Sequence, residues 1–263
     1  MNRKVLNVII SLLIVSGSML TNVWAGDTAA SGKAYDWYCN PTKDHSQPQA
    51  IPEASFLSNY DVYYIGNKEE KTLYLTFDAG FDNGYHDSIL KTLQKHNIPA
   101  AFFVDGGFLR LNPELGKRIV SEGHILANHT LTHSDLTKKS DLEAYKRELL
   151  GWEDLARKAT GSEPVKFLRP PAGRFSERTL QYDRELGYKT IFWSFAYADW
   201  NREKQPSHEL AKEKIYGRIH NGCVLLLHST SKTNAEVLDE VITKLRGEGY
   251  TFKDLYHLTS QKQ

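Results

Sequence analysis

From Lys71 onward, short runs of β-branched and aromatic residues alternate with stretches whose apolar positions recur every three or four residues. TLYLTF (72–77) predicts a strand, and GYHDSILKTLQKHN (84–97) sets Ile89, Leu90 and Leu93 at helical spacing before Pro99. AAFFV (100–104) predicts a second strand, Pro113 opens a helix through Val120, and HILAN (124–128) is the third strand. Residues 141–159 stripe Leu142, Tyr145, Leu149, Trp152 and Leu155 along one helical face, which Gly161 ends. The series continues with VKFLR, a helix from Ser176 to Leu186, YKTIFW, a helix from Ser207 to His220, and CVLLL. A last helix, NAEVLDEVITKLRGEG, packs through Val237, Leu238, Val241, Ile242 and Leu245, and YTF closes the pattern. Nearly continuous apolar strands between helices imply a parallel sheet covered on both faces. About seven such units predict an α/β fold: a partial or distorted (β/α) barrel of parallel strands.

Ahead of this pattern, residues 26–67 are polar, proline-bearing and aperiodic, with Tyr35, Trp37, Tyr38, Tyr60, Tyr63 and Tyr64 interspersed. They read as an N-terminal extension packing on a barrel domain of residues 68–263. Residues 1–25 put Arg3 and Lys4 before an apolar run and Val23-Trp24-Ala25 at a plausible cleavage point, which predicts a signal peptide. An uncleaved anchor is the alternative, and either places the rest of the chain outside the cytosol. Lys and Arg number 33 against 32 Asp and Glu, so the basic footprint of a nucleic-acid binder is missing. No later segment is apolar for long enough to span a membrane, and a monomer is expected. Export would permit a disulfide between Cys39 and Cys223. Cys223, inside CVLLLH, reads better as a buried thiol.

Reactive side chains interrupt the pattern at one place in each unit, just after the strand. Asp78 follows TLYLTF, His129 and His133 follow HILAN, Arg169 follows KFL, Asp199 follows YKTIFWSFAYA and His228 follows VLLL. In a parallel barrel the C-terminal strand ends share one rim, so these residues converge. A carboxylate directly after an apolar strand needs a partner to offset its desolvation. Arg169 offers a bidentate counter-charge; the plainer roles are a helix cap for Asp78 and a structural ion pair for Arg169. The pair in 129-HTLTH-133 has the i, i+4 spacing of the helical zinc motif without its glutamate. Zinc sites normally take three protein ligands, so it is the company at the rim that points to a metal. A lone histidine at His228 would be a packed core residue, but Asp199 can orient its ring and raise its pKa. Asp78 as base and His228 as acid would be tuned apart by their surroundings. His86, His96, His124, His208, His220 and His257 lack such company and read as surface or packing residues.

The motifs TFDAG, HTLTH, RPPAG, ADW and LLLH, in this order, resemble the NodB-type polysaccharide deacetylases of carbohydrate esterase family four, from about Lys71 to Tyr250. YLTFDAGFDNGY, FWSFAYADWN and LLLHSTSKTNAEVL are similar to the subgroup of delta-lactam-biosynthetic de-N-acetylases, which act on muramic acid in spore cortex peptidoglycan. The resemblance implies hydrolysis of an N-acetyl group on a glycan strand. It makes Asp78 the general base, His129 and His133 ligands of a divalent metal, expected to be zinc, and Arg169 the group that orients Asp78. It also has the backbone N–H of Ala172 hold the oxyanion, Asp199 tune His228, and His228 protonate the leaving amine.

The departure is Ala79, where typical members carry a second aspartate as third metal ligand. Alanine has no donor atom. The ion is then held weakly by the histidines with water or a substitute, Asp82 and Asn83 being nearest, or is dispensable. Pro171, Arg174 and Trp200 are the expected substrate contacts, with Arg174 as a carboxylate clamp or simply a solvated loop arginine. An amidase acting first would free the lactyl carboxylate for intramolecular ring closure to the lactam. The expected location is the cell wall or the spore intermembrane space. Rival readings are a glycoside hydrolase, which would want two carboxylates flanking the bond, a deacetylase of N-acetylglucosamine in peptidoglycan or chitin, and a non-catalytic wall-glycan binding protein.

Overall fold

The computed structural model describes residues 30–261, and the expected signal peptide, residues 1–25, lies outside them. The chain begins with β1 (Tyr35–Asp36), β2 (Val62–Tyr63), β3 (Thr72–Ala79), α1 (His86–His96), β4 (Ala101–Val104), α2 (Gly106–Leu111), α3 (Pro113–Ser121) and β5 (Ile125–Asn128). It continues through α4 (Leu142–Thr160), β6 (Phe167–Leu168), β7 (Arg174–Phe175), α5 (Glu177–Glu185) and β8 (Lys189–Ile191). The last elements are α6 (His208–Arg218), β9 (Cys223–His228), α7 (Lys232–Gly247), β10 (Thr251–Phe252) and α8 (Leu255–Ser260). Helices α5 and α6 start one residue later than the pattern predicts. Ser176 and Ser207 serve as their N-caps, each accepting from a backbone N–H at 3.2 Å.

Seven parallel strands form a half-barrel in the order β9, β3, β4, β5, β6, β8, β2. Alternation sorts the side chains of β3 between two compartments. Leu73, Leu75, Phe77 and Ala79 pack outward against Ile89, Leu93, Val237 and Leu245 of the helices. Tyr74 faces the barrel interior with Phe103, Ile191 and Val224, where Leu255 and Leu258 of α8 join it. Asp78 has the parity of Tyr74 and Thr76 and therefore also points inward.

YTF was the expected seventh strand, but β10 only pairs with Thr72 and Leu73 at the start of β3. The seventh place is taken by β2, from the N-terminal extension, which runs parallel to β8. That extension supplies Trp37, Ile51, Ala54 and Val62 to a cluster with Phe175, Leu180 and Phe192. The Trp37 ring stacks on Phe192 at 4.3 Å and its Nε1–H donates to Trp193 O at 2.9 Å. Cys39 and Cys223 are free thiols, and burial pushes Cys39 up to about 12.

Candidate active site

A cleft of about 750 Å³ opens at the C-terminal rim of the strands, lined by Asp78, His129, His133, Ala172, Trp200 and His228 among others. Register explains the central pair. β3 and β9 are hydrogen-bonded neighbours with Asp78 directly opposite His228, so a carboxylate and an imidazole stand side by side on rigid strands.

Arg169 is fully buried and all of its guanidinium nitrogens are used. Nη1 donates to Asp78 Oδ1 at 2.7 Å, Nη2 to Thr76 Oγ1 at 2.9 Å and Phe192 O at 3.3 Å, and Nε to Ile191 O at 3.0 Å. The guanidinium also lies over the Phe103 ring at 4.1 Å. Burial alone would push the Asp78 carboxyl up, but the charge and hydrogen bond of Arg169, with the nearby His228, outweigh it and hold the group below the ordinary aspartate value. Asp78 is thus ionised at neutral pH. Removing either partner of a buried pair of this kind costs about 3–5 kcal/mol.

His228 shows the opposite tuning. Burial lowers its pKa, but the Asp199 bond and charge together with the Asp78 charge raise it more, so the net shift is upward. Asp199 has no exposed surface and accepts from His228 N at 2.8 Å, from the Nδ1–H of the ring at 2.7 Å and from Asn234 Nδ2 at 2.6 Å. Nδ1 being engaged, Nε2 is the nitrogen that serves the cleft. Asn234, held in turn by the Tyr197 hydroxyl, was not foreseen from the sequence; an asparagine at the start of a helix reads simply as a capping residue.

HTLTH is not helical. Residues 129–133 form a loop after β5 in which Thr130 (φ 71°) and His133 (φ 54°) adopt left-handed conformations. The loop still brings the two imidazoles together, with ring centres 4.9 Å apart. Its shape depends on Glu148 of α4, which accepts from Thr132 N at 3.0 Å, Thr132 Oγ1 at 2.8 Å, Ser134 Oγ at 2.9 Å and Lys139 Nζ at 2.7 Å. His129 gives its Nδ1–H to Arg169 O at 2.8 Å and keeps Nε2 3.7 Å from Asp78 Oδ2. Burial pushes His129 down to about 4, leaving it neutral and fit to ligate a metal.

The proposed substitutes for the missing ligand, Asp82 and Asn83, are not among the residues that line the cleft with these histidines. Asp82 spends Oδ1 on Gly84 N at 2.9 Å and on His86 Nδ1 at 2.8 Å, in a neighbouring groove, while Asn83 Nδ2 donates to Thr230 O at 2.6 Å. Asp105 does line the cleft, but Oδ1 caps α2 through Phe108 N at 2.8 Å, and burial raises its pKa. Among the described residues no group of three His, Cys, Asp or Glu side chains is arranged to hold an ion. The donors fit an ion held by two imidazoles and completed by water, not a closed three-ligand site.

Ala172 sits on the rim at φ 55°, in a loop that Gly173 makes possible. At φ 66°, a Cβ on Gly173 would lie 2.7 Å from Trp193 Cη2 and 2.9 Å from Trp37 Cβ. Trp200 lines the cleft, half-exposed, with its ring 5.8 Å from that of His228. Two expected substrate contacts fall elsewhere. Pro171 is buried behind the loop, and Arg174 faces Asp36 and Asp135, both at 3.4 Å, outside the cleft lining. His86, which reads as a packing residue, is 1% exposed and bridges Asp82 to Ser229 Oγ at 2.8 Å, tying the loop after β3 to the residue after His228. The signal was available: Asp82 and His86 are four residues apart across a helix start.

An anionic carboxylate and a proton-bearing imidazole at one rim of a half-barrel define a hydrolase built for acid–base chemistry. Residues 65–191 match the family model described as polysaccharide deacetylase. The chain is 40% identical over 236 residues to the peptidoglycan-N-acetylmuramic acid deacetylase PdaA of Bacillus subtilis, covering 89% of each chain. The solved structure of that family 4 carbohydrate esterase superposes with a TM-score of 0.85, covering 89% of this chain and 100% of the other. A peptidoglycan-N-acetylglucosamine deacetylase of Bacillus cereus is 32% identical, covering 76% of this chain and 73% of its own. The chain belongs to the polysaccharide deacetylase family, carbohydrate esterase family four, and is a hydrolase of amide bonds. Enzymes of this family are in general metal-dependent and act on peptidoglycan among other glycans.

Proposed function

We propose that the enzyme removes the acetyl group from N-acetylmuramic acid residues of peptidoglycan, outside the cytoplasmic membrane and after an amidase has cleared the peptide stem, so that the product can close to muramic delta-lactam in spore cortex. The substrate rests on the similarity to the muramic acid deacetylase; the chemistry rests on the opposed tuning of Asp78 and His228 at one level of the sheet. Exposure of the free amine beside the lactyl carboxylate makes ring closure intramolecular. The leader-like residues 1–25 support export.

In this reading Asp78 takes a proton from a water molecule, whose oxygen attacks the acetamide carbonyl carbon. Arg169 keeps the carboxylate ionised and aimed. The Ala172 N–H holds the oxyanion of the tetrahedral intermediate, a contribution typically worth about 3–4 kcal/mol. As the C–N bond breaks, His228 passes its Nε2 proton to the departing amine, and acetate is left. A divalent ion at His129 and His133 would supply Lewis acidity at the carbonyl oxygen.

Asp78→Asn is expected to abolish acetate release from amidase-treated peptidoglycan while glycan binding persists. An asparagine variant that still turns over would remove Asp78 from the base role. Acetate from intact and amidase-treated wall, assigned by mass spectrometry to muramic or glucosamine residues, tests the substrate. The likeness to the Bacillus cereus enzyme supports a second reading, in which release comes only from glucosamine residues.

A further inference from the structure

Resting on the muramic acid reading, one demand on the site is still unmet by the residues described. The lactyl group of muramic acid is carried by the ring carbon next to the one bearing the acetamide. With the acetamide between Asp78 and His228, its carboxylate is confined to the adjoining rim. The cleft offers it two carboxylates, Asp78 and Asp105, and no exposed cation on its lining. Arg169 is wholly buried and committed to Asp78. Arg174, the residue the sequence suggests, faces Asp36 and Asp135 instead.

The geometry points to Arg202 as the residue that selects the free carboxylate of the substrate. Its guanidinium lies 5.0 Å from the centre of the Phe81 ring, and Phe81 lines the cleft. This reaches across the rim, because Arg202 comes from the segment after β8 and Phe81 from the loop after β3. Trp200, two residues earlier on the same segment, stands against His228. Among the described residues no carboxylate pairs with Arg202, so its N–H donors remain available.

The segment that carries Arg202 is braced. Gln205 donates to Asp199 O at 3.0 Å and Asn201 O at 2.8 Å, and accepts from Ser231 Oγ at 2.6 Å. Asn201 Oδ1 accepts from Glu203 N at 2.9 Å. The same segment therefore fixes the acid through Asp199 and presents the guanidinium, so the spacing between proton donor and carboxylate clamp is set by one rigid turn. A guanidinium held over an aromatic ring, with no carboxylate paired to it, keeps N–H donors free for bidentate contact with a carboxylate. A stem peptide turns that carboxylate into a neutral amide and removes the partner of Arg202. Dependence on prior amidase action is then a property of this contact.

The test uses wild-type enzyme and the Arg202→Gln and Arg202→Lys variants on two glycans: amidase-treated strands, and the same strands with lactyl carboxylates converted to primary amides. Wild type is expected to lose roughly tenfold or more in kcat/KM on the amidated strands, the scale of a hydrogen bond to a charged group. Arg202→Gln should act equally and poorly on both, with the loss in KM, and Arg202→Lys should keep part of the preference. Melting temperatures matching wild type show that the variants are folded. If Arg202→Gln discriminates as wild type does, or if wild type does not discriminate while deacetylating muramic residues, the clamp is overturned alone. Acetate released only from glucosamine residues overturns the muramic acid reading and the clamp with it.

Discussion

Exchanging Asp199 for asparagine separates the tuning of the acid from its placement. The carboxylate is fully buried and accepts three donors, at 2.8, 2.7 and 2.6 Å. Asparagine keeps the shape but replaces one acceptor oxygen with an NH2 group, leaving a buried donor without an acceptor at a cost of about 1–3 kcal/mol. The effect on His228 is larger. Burial lowers its pKa while the Asp199 bond and charge, and more weakly the Asp78 charge, raise it, so removing the Asp199 charge lets the value fall. Each unit of that fall disfavours the imidazolium by about 1.4 kcal/mol, or tenfold in its population above the pKa. General acid catalysis is worth about 10²- to 10⁴-fold, which bounds the total. Acetate release measured from pH 5 to 9 should show kcat/KM down about 100-fold or more at pH 8 and less at pH 6. The alkaline limb should move to lower pH, while the acidic limb, set by Asp78, stays. A loss that is uniform across pH, with the alkaline limb unmoved, would refute the tuning role and leave Asp199 as scaffold only.

Two further outcomes follow from the same geometry. Ala79→Asp restores the third ligand, a carboxylate, at a cleft-lining position; the variant should retain close to one zinc per chain after dialysis and gain thermal stability on zinc addition, whereas wild type should retain far less. Equal retention by both would show that the two imidazoles suffice. Asp183, buried between Tyr145 OH at 2.5 Å and Thr190 Oγ1 at 2.7 Å, has its pKa pushed up to about 7 by burial. A folded value above the unfolded one means that the stability it contributes is complete below about pH 4 and is lost as pH rises through about 7. Asp183→Asn should therefore raise the melting temperature at pH 8 and change it little at pH 5; a drop at pH 8 would show that the ionised carboxylate is stabilised where it sits.

The placement of reactive residues just after each apolar strand made the rim legible. Asp78 ends the apolar run TLYLTF and His228 ends VLLL, and the register of β3 with β9 then sets the two side by side. What escaped was set by contacts between distant segments. β2 is only two residues long and leaves no periodic trace, yet it fills a place in the sheet because β8 offers it an edge. The i, i+4 spacing in HTLTH suggested a helix, but Glu148, on another element, folds that segment into a loop with two left-handed residues. The sequence singles out Arg174 as a clamp and leaves Arg202 unremarked. Asp36 and Asp135 occupy the first and no carboxylate among the described residues occupies the second, a difference that only folding creates.

The seat of Trp37 also has a meaning in time. Its backbone N–H bonds to Gly173 O at 2.9 Å, and its indole reaches a carbonyl 156 residues away. Closing so long a loop carries an entropy cost; the β3 to β9 ladder closes one of similar length but recovers the cost over a run of paired residues from Leu73 to Asp78, whereas Trp37 has a single seat, which makes its docking the slower step. The β3 to β9 ladder can bring acid and base together without Trp37, but the Ala172 loop lacks its support until the N-terminal segment has docked. A refolding chain should thus pass through a state that owns its proton donor and acceptor but not its oxyanion site, and catalytic competence should return later than the sheet.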